Sequence, residues 1–141
     1  MTEAGAPAPL LDEVARWGGF EVDEAGGARV GCVDGVFVDA ESGAPAWLVV
    51  TFARAGLLRR RRDAVAVAVP ARECAGAAGR VWTALGGAAL RSAPPVDPTR
   101  PLLREHEAAI CAHYGIDAAV GRHAEVTDRP AGSVTARPWS Y

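Results

Sequence analysis

Lysine is missing from this chain of 141 residues; all 15 of its basic residues are arginine. Without lysine there is no phosphate-loop G-K-[ST] motif, no Schiff-base lysine and no lysine general base, so most nucleotide-triphosphatase and pyridoxal-phosphate chemistries are excluded. The abundant alanine beside it reads as the codon bias of a GC-rich genome. Cysteine is scarce: Cys32, Cys74 and Cys111 are the three present. An odd number with no C-x-x-C spacing suits reduced, buried thiols in a cytosol, not a disulfide framework or a zinc ribbon. Charge of one sign is also lacking. A net charge of −2 gives no global pull toward nucleic acid or anionic membrane. No apolar run approaches the roughly 20 residues that span a bilayer, and residues 1–9 have neither a basic start nor an apolar core. A cytoplasmic location is the expectation.

What is there is concentrated in residues 30–52. Two apolar segments, 30–38 and 47–52, are rich in β-branched and aromatic residues, and the stretch between them carries Asp39, Glu41, Ser42, Gly43 and Pro45, the residue types that turns require. This is a β-hairpin. A strand with one wet face alternates apolar and polar residues, but here Trp47 and Val49 share one face while Leu48, Val50 and Phe52 share the other. Both faces therefore need cover, one from the interior of a barrel or sandwich and the other from a helix or a second protomer. Gly35 interrupts the first strand where a bulge would reset the direction of Asp34.

The length suits one domain of about 100 residues with tails. Residues 1–9 read as a disordered tail, 10–17 as a short helix stopped by Gly18 and Gly19, and 20–23 as a strand. After the hairpin, residues 64–69 alternate valine with alanine at period two before Pro70, a strand whose small Ala64, Ala66 and Ala68 face invites another layer. Residues 73–79 read as a loop, 80–85 as a strand and 88–90 as a further short strand. The proline-rich run 92–101 is a stiff connector. It leads into a helix over 102–114 opened by Asp97 or Thr99, closed by Gly115 and striped by Leu103, Ile110 and Tyr114. Residues 118–141 read as a flexible tail.

The string Arg29-Val-Gly31-Cys-Val-Asp34-Gly-Val-Phe-Val-Asp39, a turn with Gly43, and then Pro45-Ala-Trp47-Leu-Val-Val50 resembles the opening of PRC-barrel domains. Val67-Ala-Val69-Pro70 is similar to that family's strand ending in V-P, Ala93-Pro94 to its A-P, and His113-Tyr114-Gly115-Ile116 to the H-Y-G-hydrophobic ending of a bacterial subset. The likeness covers about residues 10–117. It implies a mainly β fold, a small PRC-type barrel of five to six strands with a C-terminal helix. Barrels of this family occur in the photosynthetic reaction centres of purple bacteria, in a ribosome-maturation factor and in small stand-alone bacterial proteins. The members resemble docking modules more than enzymes. This chain departs from the pattern at residues 59–62 and at Cys32 and Cys74.

Candidate chemistry is thin. His106 and His113 lie about 10 Å apart along a helix, too far to ligate one zinc. The segment His106-Glu107-Ala-Ala-Ile110 has isoleucine where H-E-x-x-H needs its second ligand. Asp39 and Glu41 belong to a turn, where such side chains bond their own backbone. Serines 42, 92, 133 and 140 have no G-x-S-x-G elbow or adjacent base. The reading is therefore a non-enzymatic interaction module with no cofactor and no metal, expected to homodimerise and to bind a protein. Its candidate contact residues are Trp47 on the hairpin, Trp139 and Tyr141 at the C-terminal end, and Arg59, Arg60, Arg61 and Arg62. Four adjacent guanidiniums could also serve an alternative, an RNA- or ribosome-associated factor, although no aromatic stacking platform accompanies them.

Overall fold

The computed structural model describes residues 9–55, 62–116 and 134–138. Helix α1 (Leu11–Ala15) precedes strands β1 (Glu21–Asp23), β2 (Arg29–Asp39), β3 (Pro45–Ala55) and β4 (Arg62–Pro70); a 3-10 turn (Ala71–Glu73) then leads into β5 (Cys74–Ala77) and β6 (Arg80–Thr83). Helices α2 (Gly87–Arg91) and α3 (Arg104–Tyr114) follow, and β7 (Val134–Pro138) comes last. The protein is mainly β with a C-terminal helix, as the hairpin and valine-alanine patterns require.

Six strands form one mixed sheet in the order β4-β3-β2-β1-β6-β5, with β7 paired to β2 off that path. All ladders are antiparallel except β1 with β6. The sheet is open. Its end strands β4 and β5 share no ladder, and the 3-10 turn connects them through the chain, with the Cys74 thiol donating to the Pro70 carbonyl at 3.4 Å.

The doubly apolar hairpin organises two cores. On one face Val33, Val36, Val38, Leu48, Val50, Phe52, Val67 and Val69 join Val14, Trp17, Val22, Val81 and Leu90. Strands from both ends of the path meet in this cluster, so the sheet wraps around it. On the opposite face Phe37, Trp47, Val49 and Ala68 pack with Leu102, Ile110 and Cys111. A bulge at Gly35 decides which side chains go where: the register slips between Val33 and Gly35, so Val33 and Val36, three apart, face the same core. Asp34 stands exposed at that slip. Gly31 is required by close approach, because a Cβ there would collide with the Thr51 carbonyl of β3.

Three local expectations are corrected. The stretch read as a loop over 73–79 contains β5, which returns as β6 through a two-residue turn with positive φ at both Ala78 (56°) and Gly79 (82°), the torsions of a tight hairpin turn. The stretch 88–90 is not a strand but part of α2, where alanine's high helix propensity prevails. Helix α3 begins at Arg104 without a side-chain cap. Asp97 and Thr99 bond each other instead, with the Thr99 amide and hydroxyl donating to one Asp97 oxygen at 2.9 and 2.6 Å.

Candidate interaction site

Trp47 is not a surface residue. It is 1% exposed, because α3 lies across the outer face of the hairpin. Its indole Nε1 donates to Oε2 of Glu107 at 2.8 Å, and Glu107 is itself fully buried. A buried carboxylate is tolerated only where hydrogen bonds replace its hydration, and the indole supplies one. The small-residue face of β4 is likewise covered by the chain itself: Ala68 is buried beneath α3 and Ala66 packs against the same cluster. The outer face of the hairpin at Trp47 and the β4 face at Ala68 are thus covered in cis, while Ala64 stays exposed.

The outward edge of β4 is also occupied from Ala66 to Ala68. The Val96 amide donates to the Ala66 carbonyl at 2.8 Å, Pro95 bridges to Val67, and the Tyr114 hydroxyl donates to the Ala68 carbonyl at 2.8 Å. Burial raises the Tyr114 pKa and so keeps this donor protonated. His113, next in line, turns toward α2, where its Nε2 donates to the Ala89 carbonyl at 2.8 Å and lies 3.4 Å from the Ser92 hydroxyl. The histidine is a structural link between two helices.

Of the other sequence candidates, Arg59, Arg60, Arg61, Trp139 and Tyr141 lie outside the described residues, and Arg62 opens β4 opposite Ala55. The RNA alternative rests on those arginines alone. Asp39 acts in its turn, accepting from the amides of Glu41 and Ser42 at 2.8 and 3.4 Å.

Two surfaces emerge that sequence reasoning missed. The first is the edge of β2. Its first half is paired by β1 and by the residues just before it, up to the bonds between Val33 and Phe20 and between Gly19 and Val33, both 2.9 Å. From Gly35 onward that edge leaves β1 behind, and β7 takes it over in an antiparallel ladder from Gly35 opposite Pro138 to Asp39 opposite Val134. A strand of five residues carries too little periodicity to be read inside a polar tail. The second is a cavity of about 510 Å³ between the proline-rich connector and α3, with Ile110 and Leu102 of the second core in its lining. The run of prolines was its only sequence signal, because proline stiffens a connector enough to hold it away from the helix.

No known protein-family model matches the chain, and no curated protein is significantly similar to it. Among the described residues, no helix is long and apolar enough to cross a membrane.

Proposed function

We propose that this chain is a non-enzymatic, PRC-barrel-type interaction module that works by strand addition at the edge of β2. The observation that carries this reading is the hand-over on that edge: β1 ends, and a strand distant in the sequence completes the ladder across Gly35–Asp39. An edge that accepts one extended segment offers main-chain donors and acceptors to any segment of the same geometry. The barrel likeness finds support in the wrapped sheet and the C-terminal helix laid across the hairpin, although the sheet stays open between β4 and β5. A cytoplasmic site of action suits Cys32, Cys74 and Cys111, none of which forms a disulfide.

The segment best matched to the edge in trans is the same strand of a second copy, since it reproduces every pairing without new contacts. The test replaces Thr135 and Ala136 with proline in the full chain. Consecutive residues point their amides in opposite directions, so one of the two lost N–H groups faces β2. The expected result is that a peptide of residues 130–141 binds the double variant, and binds the wild type more weakly because its own tethered strand competes. Failure of the peptide to bind the variant would refute strand addition. Light scattering over a concentration series separately tests the second copy: wild-type dimers that become monomers in the variant support it, and a monomer at every concentration removes it.

A further inference from the structure

The cavity beside α3 is independent of the β2 edge and has its own chemistry. Its lining is apolar apart from Asp97, Arg100 and His106. Its volume, about 510 Å³, falls within the range of roughly 300–1,000 Å³ typical of small-molecule sites. The three polar residues are not equivalent. Asp97 is already engaged: Thr99 donates twice to one of its oxygens, and the Arg100 Nε stands 3.6 Å from the other. Those bonds from Thr99, first through its hydroxyl and then through its amide, hold the Asp97 carboxyl below its ordinary value and keep it an acceptor already in use. Arg100, in contrast, meets Asp97 through Nε, and its two terminal amino groups have no partner among the described residues. His106 is exposed and has no hydrogen-bond partner among them either. The cavity therefore presents apolar walls from Pro94, Val96, Leu103 and Ala109, unspent guanidinium donors on Arg100, and an Asp97 carboxylate that Thr99 bonds and Arg100 faces.

We infer that this cavity binds a small amphiphile with an apolar body and a carboxylate head, of the medium-chain fatty-acid type. The body removes the proline, valine and leucine surfaces from water, and the guanidinium meets the carboxylate with two parallel N–H donors. A cationic head would meet the Arg100 guanidinium and an Asp97 carboxylate that Thr99 and Arg100 already hold, and a neutral alcohol would forgo the charge, so a carboxylate is the head group that the free Arg100 donors complement.

The test is calorimetric titration of the full-length protein with decanoate and, separately, with decanol, which shares the chain and lacks the charge. Decanoate is expected to bind about fivefold more tightly than decanol, the size of an exposed ion pair, with that advantage shrinking as salt is raised. Arg100→Gln is expected to remove the advantage and leave decanol binding unchanged. Ala109→Trp, a substitution at an exposed helix position, fills the cavity and should abolish binding of both, with circular dichroism confirming the fold. Equal affinity for the two probes, or decanoate binding that ignores Arg100→Gln, overturns the carboxylate assignment. Binding that survives Ala109→Trp overturns the site. Neither result touches strand addition at β2, whose test uses residues of β7 alone.

Discussion

The contact between Trp47 and Glu107 joins residues 60 apart in sequence and sits where the hairpin meets its helix. Removing one partner of a buried hydrogen bond leaves the other unsatisfied at a cost of about 1–3 kcal/mol, and here it leaves an oxygen that water cannot reach. Trp47→Phe keeps most of the ring and deletes the donor, so it should lower stability by about 2 kcal/mol, read as a lower urea midpoint at unchanged slope. Glu107→Gln retains a carbonyl oxygen for the indole and should cost less than Trp47→Phe. The opposite order would mean that the place of Glu107 as acceptor is not what matters most here. This pair also marks where residue-level reading stops. Trp47 was recognisable as an apolar hairpin residue, and Glu107 as a helical residue beside His106. Nothing in a single sequence says that a glutamate will turn inward to meet an indole, because helical periodicity favours apolar residues on the packed stripe.

Helix α3 covers the outer face of the hairpin, and its last turn positions the Tyr114 hydroxyl on β4. That turn ends through Gly115 at φ 72°, with the Gly115 amide donating to Ala112 and the Ile116 amide to Cys111 at 3.2 and 2.9 Å, which sets Ile116 against the second core. A side chain in left-handed backbone costs about 1–2 kcal/mol, so Gly115→Ala should destabilise by about that amount. Thermal unfolding of the variant checks it, and an unchanged Tm would show that the chain ends the helix another way at no cost. The helix, its glycine stop and the β2–β3–β4 meander were legible because each exceeds the length at which periodicity becomes distinct. Strand β5, Cys-Ala-Gly-Ala, was not. Its Gly76 is there for the Trp17 indole, which would stand 2.6 Å from any Cβ at that position, and a glycine chosen for a tertiary contact looks the same in sequence as a loop glycine.

For the molecule as a whole, two acids packed in or near the first core, Cys74 and Tyr114, should make stability fall in alkali. Burial is the largest influence on Cys74 and pushes its thiol from 9.0 up to about 12, while burial likewise raises Tyr114. For an acid whose folded pKa is raised, the stabilisation is complete below the unfolded pKa and is lost as pH rises toward the folded value, because the unfolded chain releases its proton first. Urea midpoints should therefore be insensitive to the Cys74 proton below about pH 8 and should decline from about pH 9 upward. Cys74→Ala should flatten that decline. A slope unchanged in this variant would show that Cys74 plays no part in it. The same burial makes Cys74 a poor nucleophile, so in the native state half-exposed Cys32 should be the faster thiol to alkylate.

The parallel pairing of β1 with β6 and the late position of α3 also order events during synthesis. As the chain leaves the ribosome, β1 must wait for Arg80–Thr83 before its second neighbour exists, and the greasy outer side of the hairpin stays bare until the helix some 60 residues behind Trp47 has emerged. Such distant partners slow acquisition of the native state and leave a sticky nascent sheet in the crowded cell. Until its own helix arrives, whatever first shields that hairpin, a chaperone or a neighbouring nascent chain, decides whether the molecule matures or aggregates.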